Sequence, residues 1–203
     1  MQSTLKIGLF GIGLDAYWPQ FDGLKERLEG YLDLVHQKLL AIHPSVINAG
    51  LVDTVDKAFE TGSLFRREEV DLVFLYVTTY ALSSTVLPVV QRAKAPVIIL
   101  NLSPAEAIDY NRFNSLNDRT KMTGEWLAFC APCPVPEISN VFNRTGIQFH
   151  QITGVLNDND ECWTEIKEWI EAASVAHIMS HNRLGCMGPV WPSPRGLSSA
   201  LPL

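Results

Sequence analysis

Two kinds of hydrophobic pattern alternate along the chain. Short, uninterrupted runs of apolar residues predict strands that are buried on both faces, whereas apolar residues spaced three and four apart predict helices that bury one face. The predicted strands lie at residues 5–11, 45–49, 71–78, 96–101 and 148–153. The predicted helices lie at residues 19–42, 53–65, 82–94, 116–129, 137–144 and 158–181, and the second of them is broken. A long loop separates the fourth strand from the helix at 116–129.

Strands that alternate with helices of this length predict β-α-β crossovers and hence a parallel sheet. We expect a doubly wound, flavodoxin-like fold of the α/β class, with three layers (α/β/α) and the strand order 2-1-3-4-5. In such a sheet, ligands bind beyond the carboxyl ends of the strands, at the point where the chain changes direction across the sheet. That point lies between the first and third strands, so the loops that follow these strands are expected to form a site.

The pattern changes near residue 188. Residues 183–187 have the composition of one more strand, but residues 189–203 contain four prolines and one charged residue. Proline cannot donate to a sheet ladder, so the sheet pattern stops there. We therefore divide the chain into an α/β domain at 1–182, a strand at 183–188 and a tail at 189–203. The tail is interpreted as the out-of-frame or artificial end of a truncated chain, with a disordered natural tail as the alternative.

Composition excludes several classes of protein. With 47% apolar residues among 203, the chain can bury a full core, which excludes a disordered protein. Its net charge of −6 argues against a surface for nucleic acid or an anionic membrane, because phosphates would be repelled. No apolar run reaches the roughly 20 residues that span a bilayer, and the first residues lack the features of a signal peptide. We therefore expect a cytoplasmic protein with no nucleic-acid or membrane partner.

Aromatic residues cluster in the two loops at the expected change of direction. Tyr17 and Trp18 follow the first strand, close to Asp15, and Tyr80 follows the third strand after two threonines. Flat rings pack against the C–H face of a sugar, while carboxylates and hydroxyls bind its OH groups. These four residues, with the threonines, are therefore predicted to bind a small polyol. The alternative is that the rings pack beneath the neighbouring loop or against another subunit.

Residues 11–16 match the pattern G-x-G-x-x-A of dinucleotide-binding loops. Such a loop requires a helix that starts at the glycines and directs its N-terminus at the pyrophosphate. Here Pro19 delays the start of the helix, so the match gives only weak support to a nucleotide-binding protein. The third strand ends in threonines and a tyrosine, and it therefore lacks the phosphorylated aspartate of a response regulator.

Cys130 and Cys133 have the C-x-x-C spacing of zinc half-sites and redox dithiols. A structural zinc site needs four ligands, and the sequence contains no second C-x-x-C pair. Redox dithiols begin a helix, which lowers the pKa of the thiol, whereas this pair is expected to end one. We therefore expect two ordinary packed thiols.

Two further pairs of residues could belong to a catalytic or metal-binding site. His177 and His181 share a helix face, but the glutamate of the motif H-E-x-x-H is missing, so they are expected to be surface or capping residues. Glu125 and Glu137 flank a proline-rich turn and could form a carboxylate pair, although their spacing does not show that they meet.

Several segments together resemble a known family. The chain is similar to the N-terminal part of the L-arabinose isomerase and L-fucose isomerase-like family over residues 5–188. The segments that carry the resemblance are 11–19 (GIGLDAYWP), 76–80 (YVTTY), 96–102 (PVIILNL), 123–133 (TGEWLAFCAPC) and 181–188 (HNRLGCMG). The last of these resembles the strand that opens the family's second domain.

The resemblance implies an aldose–ketose isomerase of carbohydrate metabolism that uses a divalent metal, typically manganese. In that family the metal ligands and the acid–base pair lie in the C-terminal half, so this chain is expected to contain no catalytic residue, no metal ligand and no cofactor of its own. The family's N-terminal domain extends its loops into the sugar pocket of a neighbouring subunit in a homo-oligomer, a trimer or a hexamer. Tyr17 and Tyr80 fall at these contacts, whereas Asp15 and Ala16 depart from the His-Leu-Tyr of the arabinose type.

The sequence thus predicts the N-terminal domain of a sugar isomerase, with loops that bind a small sugar and no activity when it is alone. Two alternatives come from other classes of protein. One is a non-catalytic sugar-binding module, and the other, which has less support, is a nucleotide-binding oxidoreductase domain.

Overall fold

A parallel β-sheet forms the centre of the computed structural model, which describes residues 4–157 and 161–183. Its five strands are β1 (Ile7–Ile12), β2 (Val46–Val52), β3 (Leu72–Val77), β4 (Val97–Ser103) and β5 (Phe149–Val155). They pair in the order β2-β1-β3-β4-β5, and every pairing is parallel. The predicted doubly wound sheet and its strand order are confirmed.

Helices cover both faces of this sheet. In the described part of the chain they are α1 (Leu24–Ile42), α2 (Val55–Glu68), α3 (Ser83–Ala93), α4 (Tyr110–Ser115), α5 (Arg119–Leu127), α6 (Val135–Thr145) and α7 (Cys162–His181). One face of the sheet packs against α2, α3 and α6, and the other face packs against α1 and α7. The end of α5 packs against the start of α1 in a third apolar cluster. The three-layer, flavodoxin-like architecture is therefore as predicted.

The two central strands explain the uninterrupted apolar runs of the sequence. Every residue of β1 and of β3 is buried, because each strand has a helical layer on both faces and a partner strand on both sides. Alternation of apolar and polar residues is expected only where one face of a sheet meets water. It occurs at the edge of the sheet, in β5, where Gln151 and Thr153 are exposed and Ile152 between them is buried.

A β-bulge carries β2 beyond its predicted end. The register of the pairing between β1 and β2 shifts between Leu9 and Gly11. Gly50 lies within the bulge at a φ of 78°, a left-handed conformation that glycine adopts without strain. Its N–H donates to the side-chain oxygen of Asn48 at 2.9 Å. The sequence predicts an end of the strand just before this glycine, whereas β2 continues to Val52.

The helices differ from their predicted spans at several points. α1 begins at Leu24 rather than at residue 19, and α5 spans Arg119–Leu127 rather than residues 116–129. α2 is continuous where a broken helix is predicted, α4 lies within the predicted long loop, and α6 begins at Val135 rather than at residue 137. The cap predicted at 158–160, the strand predicted at 183–188 apart from its first residue, and the tail at 189–203 lie outside the described residues. None of the helices described here combines the length and the hydropathy needed to cross a membrane.

Candidate functional site

The chain changes direction across the sheet at the carboxyl ends of β1 and β3. The connection from β1 to β2 runs through α1 on one face, and the connection from β3 to β4 runs through α3 on the other face. The loops after β1 (residues 13–23) and after β3 (residues 78–82) therefore diverge, which is the arrangement that opens a binding crevice in doubly wound sheets.

Three of the four residues predicted to bind a sugar meet at this edge. Tyr17, Trp18 and Tyr80 are half-buried and pack against one apolar cluster formed by the start of α1 and the end of α5. The fourth, Asp15, is exposed and begins a short 3₁₀ turn, in which its backbone carbonyl accepts a hydrogen bond from the N–H of Trp18 at 3.2 Å. The three rings therefore belong to the packing of this edge and still keep part of their surface accessible.

A buried carboxylate fixes Trp18. The indole N–H of Trp18 donates to Oδ2 of Asp53 at 2.8 Å, and Nζ of Lys57 lies 2.6 Å from Oδ1 of the same carboxylate. Asp53 directly follows β2 and is only 3% exposed. It is absent from the predicted site because the hydrophobic pattern predicts an earlier end of β2. An acidic residue directly after a buried parallel strand is the signal that identifies it.

Burial alone would raise the pKa of Asp53, but the hydrogen bonds from Lys57 and Trp18, with the positive charges of Lys57 and Lys25, hold that pKa below its usual range. The unfolded chain titrates this group at about pH 3.9. Because the folded-state pKa is lower, the carboxylate stabilises the fold above about pH 4, and this contribution is lost as the pH falls through the folded-state pKa.

Replacing Asp53 with asparagine is expected to lower the free energy of unfolding by about 1 to 3 kcal/mol at neutral pH, because a buried charged hydrogen-bond acceptor is lost. The difference should shrink as the pH falls from about 4 through the lower folded-state pKa, below which the wild-type carboxyl is also neutral in the folded chain. Urea unfolding at a series of pH values measures this difference. Asp56→Asn removes an exposed acid from the first turn of the same helix and should cost less than about 0.5 kcal/mol. Equal losses in the two variants would contradict the role of Asp53.

Gly13 is required by the position of Trp18. A Cβ atom at Gly13 would lie 2.9 Å from two carbons of the indole ring, so a larger residue would displace the ring. α1 begins only at Leu24, well beyond the glycines of the G-x-G-x-x-A match. This loop therefore lacks the helix N-terminus that binds a pyrophosphate in dinucleotide-binding folds. The glycine serves close packing instead.

The two threonines after β3 are held by backbone hydrogen bonds. The hydroxyl of Thr78 donates to the carbonyl of Ile12 at 2.6 Å, and the hydroxyl of Thr79 donates to the carbonyl of Leu127 at 2.8 Å. The two threonines are 1% and 0% exposed, respectively. The prediction that they offer hydroxyls to a sugar is wrong, because their burial makes them inaccessible. They fix the β3 loop against β1 and against the end of α5.

Tyr80 and the two acids near the proline-rich turn have defined partners. The hydroxyl of Tyr80 donates to Oε2 of Glu137 at 3.3 Å, and Oε1 of Glu137 accepts the backbone N–H of Ser83 at 3.2 Å. The negative charge of Glu137, together with burial, raises the pKa of Tyr80 above its usual value, so the phenol remains a hydrogen-bond donor. Glu125 forms a bidentate ion pair with Arg27 at 2.6 and 3.2 Å. The two acids therefore hold different partners and do not act as a pair.

A cavity of about 430 Å³ lies beside these residues, between the start of α1 and helix α5. The ion pair of Arg27 with Glu125 lines it, and Nε–H of Arg27 also donates to the hydroxyl of Tyr31 at 2.7 Å. Phe21 connects the cavity to Tyr17, because the two rings meet edge to face with their centroids 5.9 Å apart. The polar residues that complete the lining are Gln20, Asp22, Asp118, Thr120 and Lys121. The volume falls in the range of small-molecule sites.

No protein-family model and no curated protein matches this chain.

Cys130 and Cys133 are joined by a disulfide, so the prediction of two separate packed thiols is wrong. The turn between α5 and α6 accounts for the difference. In this turn the N–H of Cys133 donates to the carbonyl of Cys130 at 3.2 Å, and the two Cα atoms lie 5.4 Å apart, a distance that a disulfide spans. The pair not only follows the end of α5 but also lies directly before α6, which begins at Val135.

His177 and His181 lie at the opposite, amino edge of the sheet. His177 is 7% exposed, and its Nδ1 lies 2.8 Å from Oδ1 of Asp71, which precedes β3. It is therefore a buried partner of Asp71 and not the surface or capping residue that is predicted. His181 is exposed, and its Nδ1 lies 2.8 Å from the carbonyl of His177, which is a capping contact as predicted.

Among residues 4–157 and 161–183, no group of three or more His, Cys, Asp and Glu side chains is placed to hold a metal ion. Three acids near the candidate site are each bound to a donor or a cation: Asp53 to Trp18 and Lys57, Glu125 to Arg27, Glu137 to Tyr80. These three acids are therefore engaged by other groups, and no metal-dependent step is assigned to them.

Proposed function

We propose that this chain is the sugar-binding α/β domain of a cytoplasmic aldose–ketose isomerase resembling the L-arabinose and L-fucose isomerases. The observation that supports this most is the convergence of Tyr17, Trp18 and Tyr80 at the carboxyl ends of β1 and β3. The ring of Tyr17 contacts Phe21, which lines a cavity of suitable size. In this proposal the two loops line the pocket of a small sugar in a homo-oligomer, a trimer or a hexamer. The divalent metal and the acid–base residues belong to another part of the enzyme.

The chemistry of these residues suits a sugar. The aromatic rings provide flat apolar surfaces for the C–H faces of the ligand, and the hydroxyl of Tyr80 is positioned by Glu137 beside them. Trp18 is held by Asp53, so the orientation of its ring is set before a ligand arrives, which lowers the entropic cost of binding. The role of this chain is to bind and orient the sugar, and the chain alone is expected not to isomerise it.

Titration calorimetry with L-arabinose and L-fucose tests the proposed site. We expect saturable binding of at least one of the two sugars, and we expect Tyr17→Ala and Tyr80→Ala each to weaken it about 10-fold or more, because a buried aromatic contact is lost. Tyr110→Ala is the matched control, since Tyr110 is 66% exposed on α4 and away from the cluster. It should leave the affinity unchanged.

Other results would count against the proposal. Failure of both sugars to bind, or an equal loss of affinity in Tyr110→Ala, would contradict a sugar site at Tyr17 and Tyr80. Mn²⁺-dependent conversion of either sugar by the purified chain would contradict the assignment of catalysis to another part of the enzyme. Binding of NAD(H) in place of a sugar would support a nucleotide-binding domain.

A non-catalytic sugar-binding module is the second candidate, because the aromatic residues that would bind the sugar need no metal for that role. Sugar binding by the chain agrees with both candidates. The coding DNA beyond codon 188, read in the other frames, separates them. A long globular domain rich in His and Glu supports the isomerase, and its absence favours the module.

A further inference from the structure

The disulfide between Cys130 and Cys133 has one exposed and one buried half. Cys133 is exposed, whereas Cys130 is 3% exposed and packs in the apolar cluster formed by α1 and the end of α5. Thiol–disulfide exchange proceeds by attack of a thiolate on one sulfur of the bridge, and the other sulfur leaves. Cys133 is the half that a thiolate can reach without unfolding of the domain.

The position of Cys133 favours this chemistry. It lies directly before α6, whose N-terminus carries the positive end of the helix dipole. Such a field stabilises the thiolate of Cys133, the form in which this residue is released when the exchange is completed. The acid in the first turn of α6, Glu137, is engaged by the hydroxyl of Tyr80 and the N–H of Ser83.

The segments on either side of the bridge are held by other contacts. The carbonyl of Leu127, at the end of α5, accepts the hydrogen bond from buried Thr79 at 2.8 Å. Glu137, at the start of α6, binds Ser83 at 3.2 Å and Tyr80 at 3.3 Å. Both helices therefore stay attached to the β3 loop when the disulfide opens, so reduction does not require the domain to unfold.

We propose that Cys130 and Cys133 form a reversible thiol–disulfide exchange site for a dithiol reductant. A thiolate of the reductant attacks Sγ of Cys133, the S–S bond breaks, and Sγ of Cys130 leaves as a thiolate that takes up a proton. The second thiol of the reductant then displaces Cys133 from the mixed disulfide. The pair gains two electrons and two protons, and the reductant becomes a disulfide. This site is independent of the proposed sugar function.

Differential alkylation followed by mass spectrometry tests the proposal on the folded, wild-type chain. In oxidised glutathione, Cys130 and Cys133 should both resist alkylation. Dithiothreitol should make both available, and its replacement by oxidised glutathione should protect them again, while circular dichroism shows that the fold persists. Reduction of the native protein should be no more than about 10-fold slower than reduction in guanidinium chloride, because Cys133 is accessible in the folded state.

Cys162 is the internal control. It is 5% exposed, and its Sγ lies 3.6 Å from the carbonyl of Val155, so it should be alkylated only when the chain unfolds. In Cys133→Ser, the thiol of Cys130 should be protected in the same way by its burial. The proposal is overturned if Cys130 and Cys133 stay unbonded in oxidised glutathione. It is also overturned if the bridge is reduced only as fast as Cys162 becomes exposed.

Discussion

Replacing Gly62 with alanine is expected to destabilise the fold by roughly 3 kcal/mol. Gly62 lies where α2 crosses α3, and a Cβ atom there would lie 2.8 Å from the carbonyl oxygen of Pro88 and 3.0 Å from that of Val89. It would also lie 2.8 Å from Cβ of Arg92. Backbone atoms of a packed helix cannot turn aside as the end of a side chain can, so the two helices would have to separate. Urea unfolding measures the loss.

Gly30→Ala is the matched control for this prediction. Gly30 is an exposed residue of α1, and a Cβ atom there meets nothing within 4 Å. Alanine at that position should raise the free energy of unfolding by about 0.5 to 1 kcal/mol, because a helical glycine costs conformational entropy. A Gly62→Ala protein as stable as Gly30→Ala would show that α2 and α3 do not approach so closely.

Replacing Leu28 with alanine is expected to lower the free energy of unfolding by about 2 to 5 kcal/mol. Leu28 is 0% exposed and lies in the apolar cluster against which Tyr17, Trp18 and Tyr80 pack. The space left by its side chain would remove support from the three rings. Any affinity for a sugar should therefore fall in this variant as well, which titration of the folded protein measures.

Leu40→Ala provides the comparison on the same helix. Leu40 is 41% exposed, so its truncation should cost less than about 1 kcal/mol and should leave ligand affinity unchanged. Similar losses of stability in the two variants would mean that the cluster of α1 and α5 is loosely packed. In that case the cluster could not position the aromatic residues.

Most of the fold follows from one local property, the uninterrupted apolar run of a strand with helices on both faces. The span predicted for β3, residues 71–78, exceeds the observed Leu72–Val77 by one residue at each end. The hydrophobic pattern does not predict α4. None of its residues, Tyr110–Ser115, is buried, so the helix has no continuous apolar face. It forms where the side chain of Asp109 caps its first turn, which a hydrophobic pattern does not record.

The location of the candidate site follows from the topology, but its contacts do not. Strand order alone places the loops of Tyr17 and Tyr80 side by side. The contact between Trp18 and Asp53 joins residues 35 positions apart, and no local pattern encodes which acid a tryptophan meets. In the same way, the spacing of two cysteines does not show whether the turn between them brings their Cα atoms to a distance that a disulfide can span.

The position of β1 in the interior of the sheet has a consequence for the synthesis of the chain. β1 leaves the ribosome first among the strands, but both of its partners come later: Ile7 pairs with Val46 on one side and with Leu72 on the other. This apolar strand therefore stays unpaired until β2 has been synthesised, and one of its edges stays unpaired until Leu72 follows. Parallel pairing across such long loops is slow, because closure entropy is lost before contacts form. Chaperones that shield β1 as it emerges should therefore raise the yield of folded protein without changing its final stability.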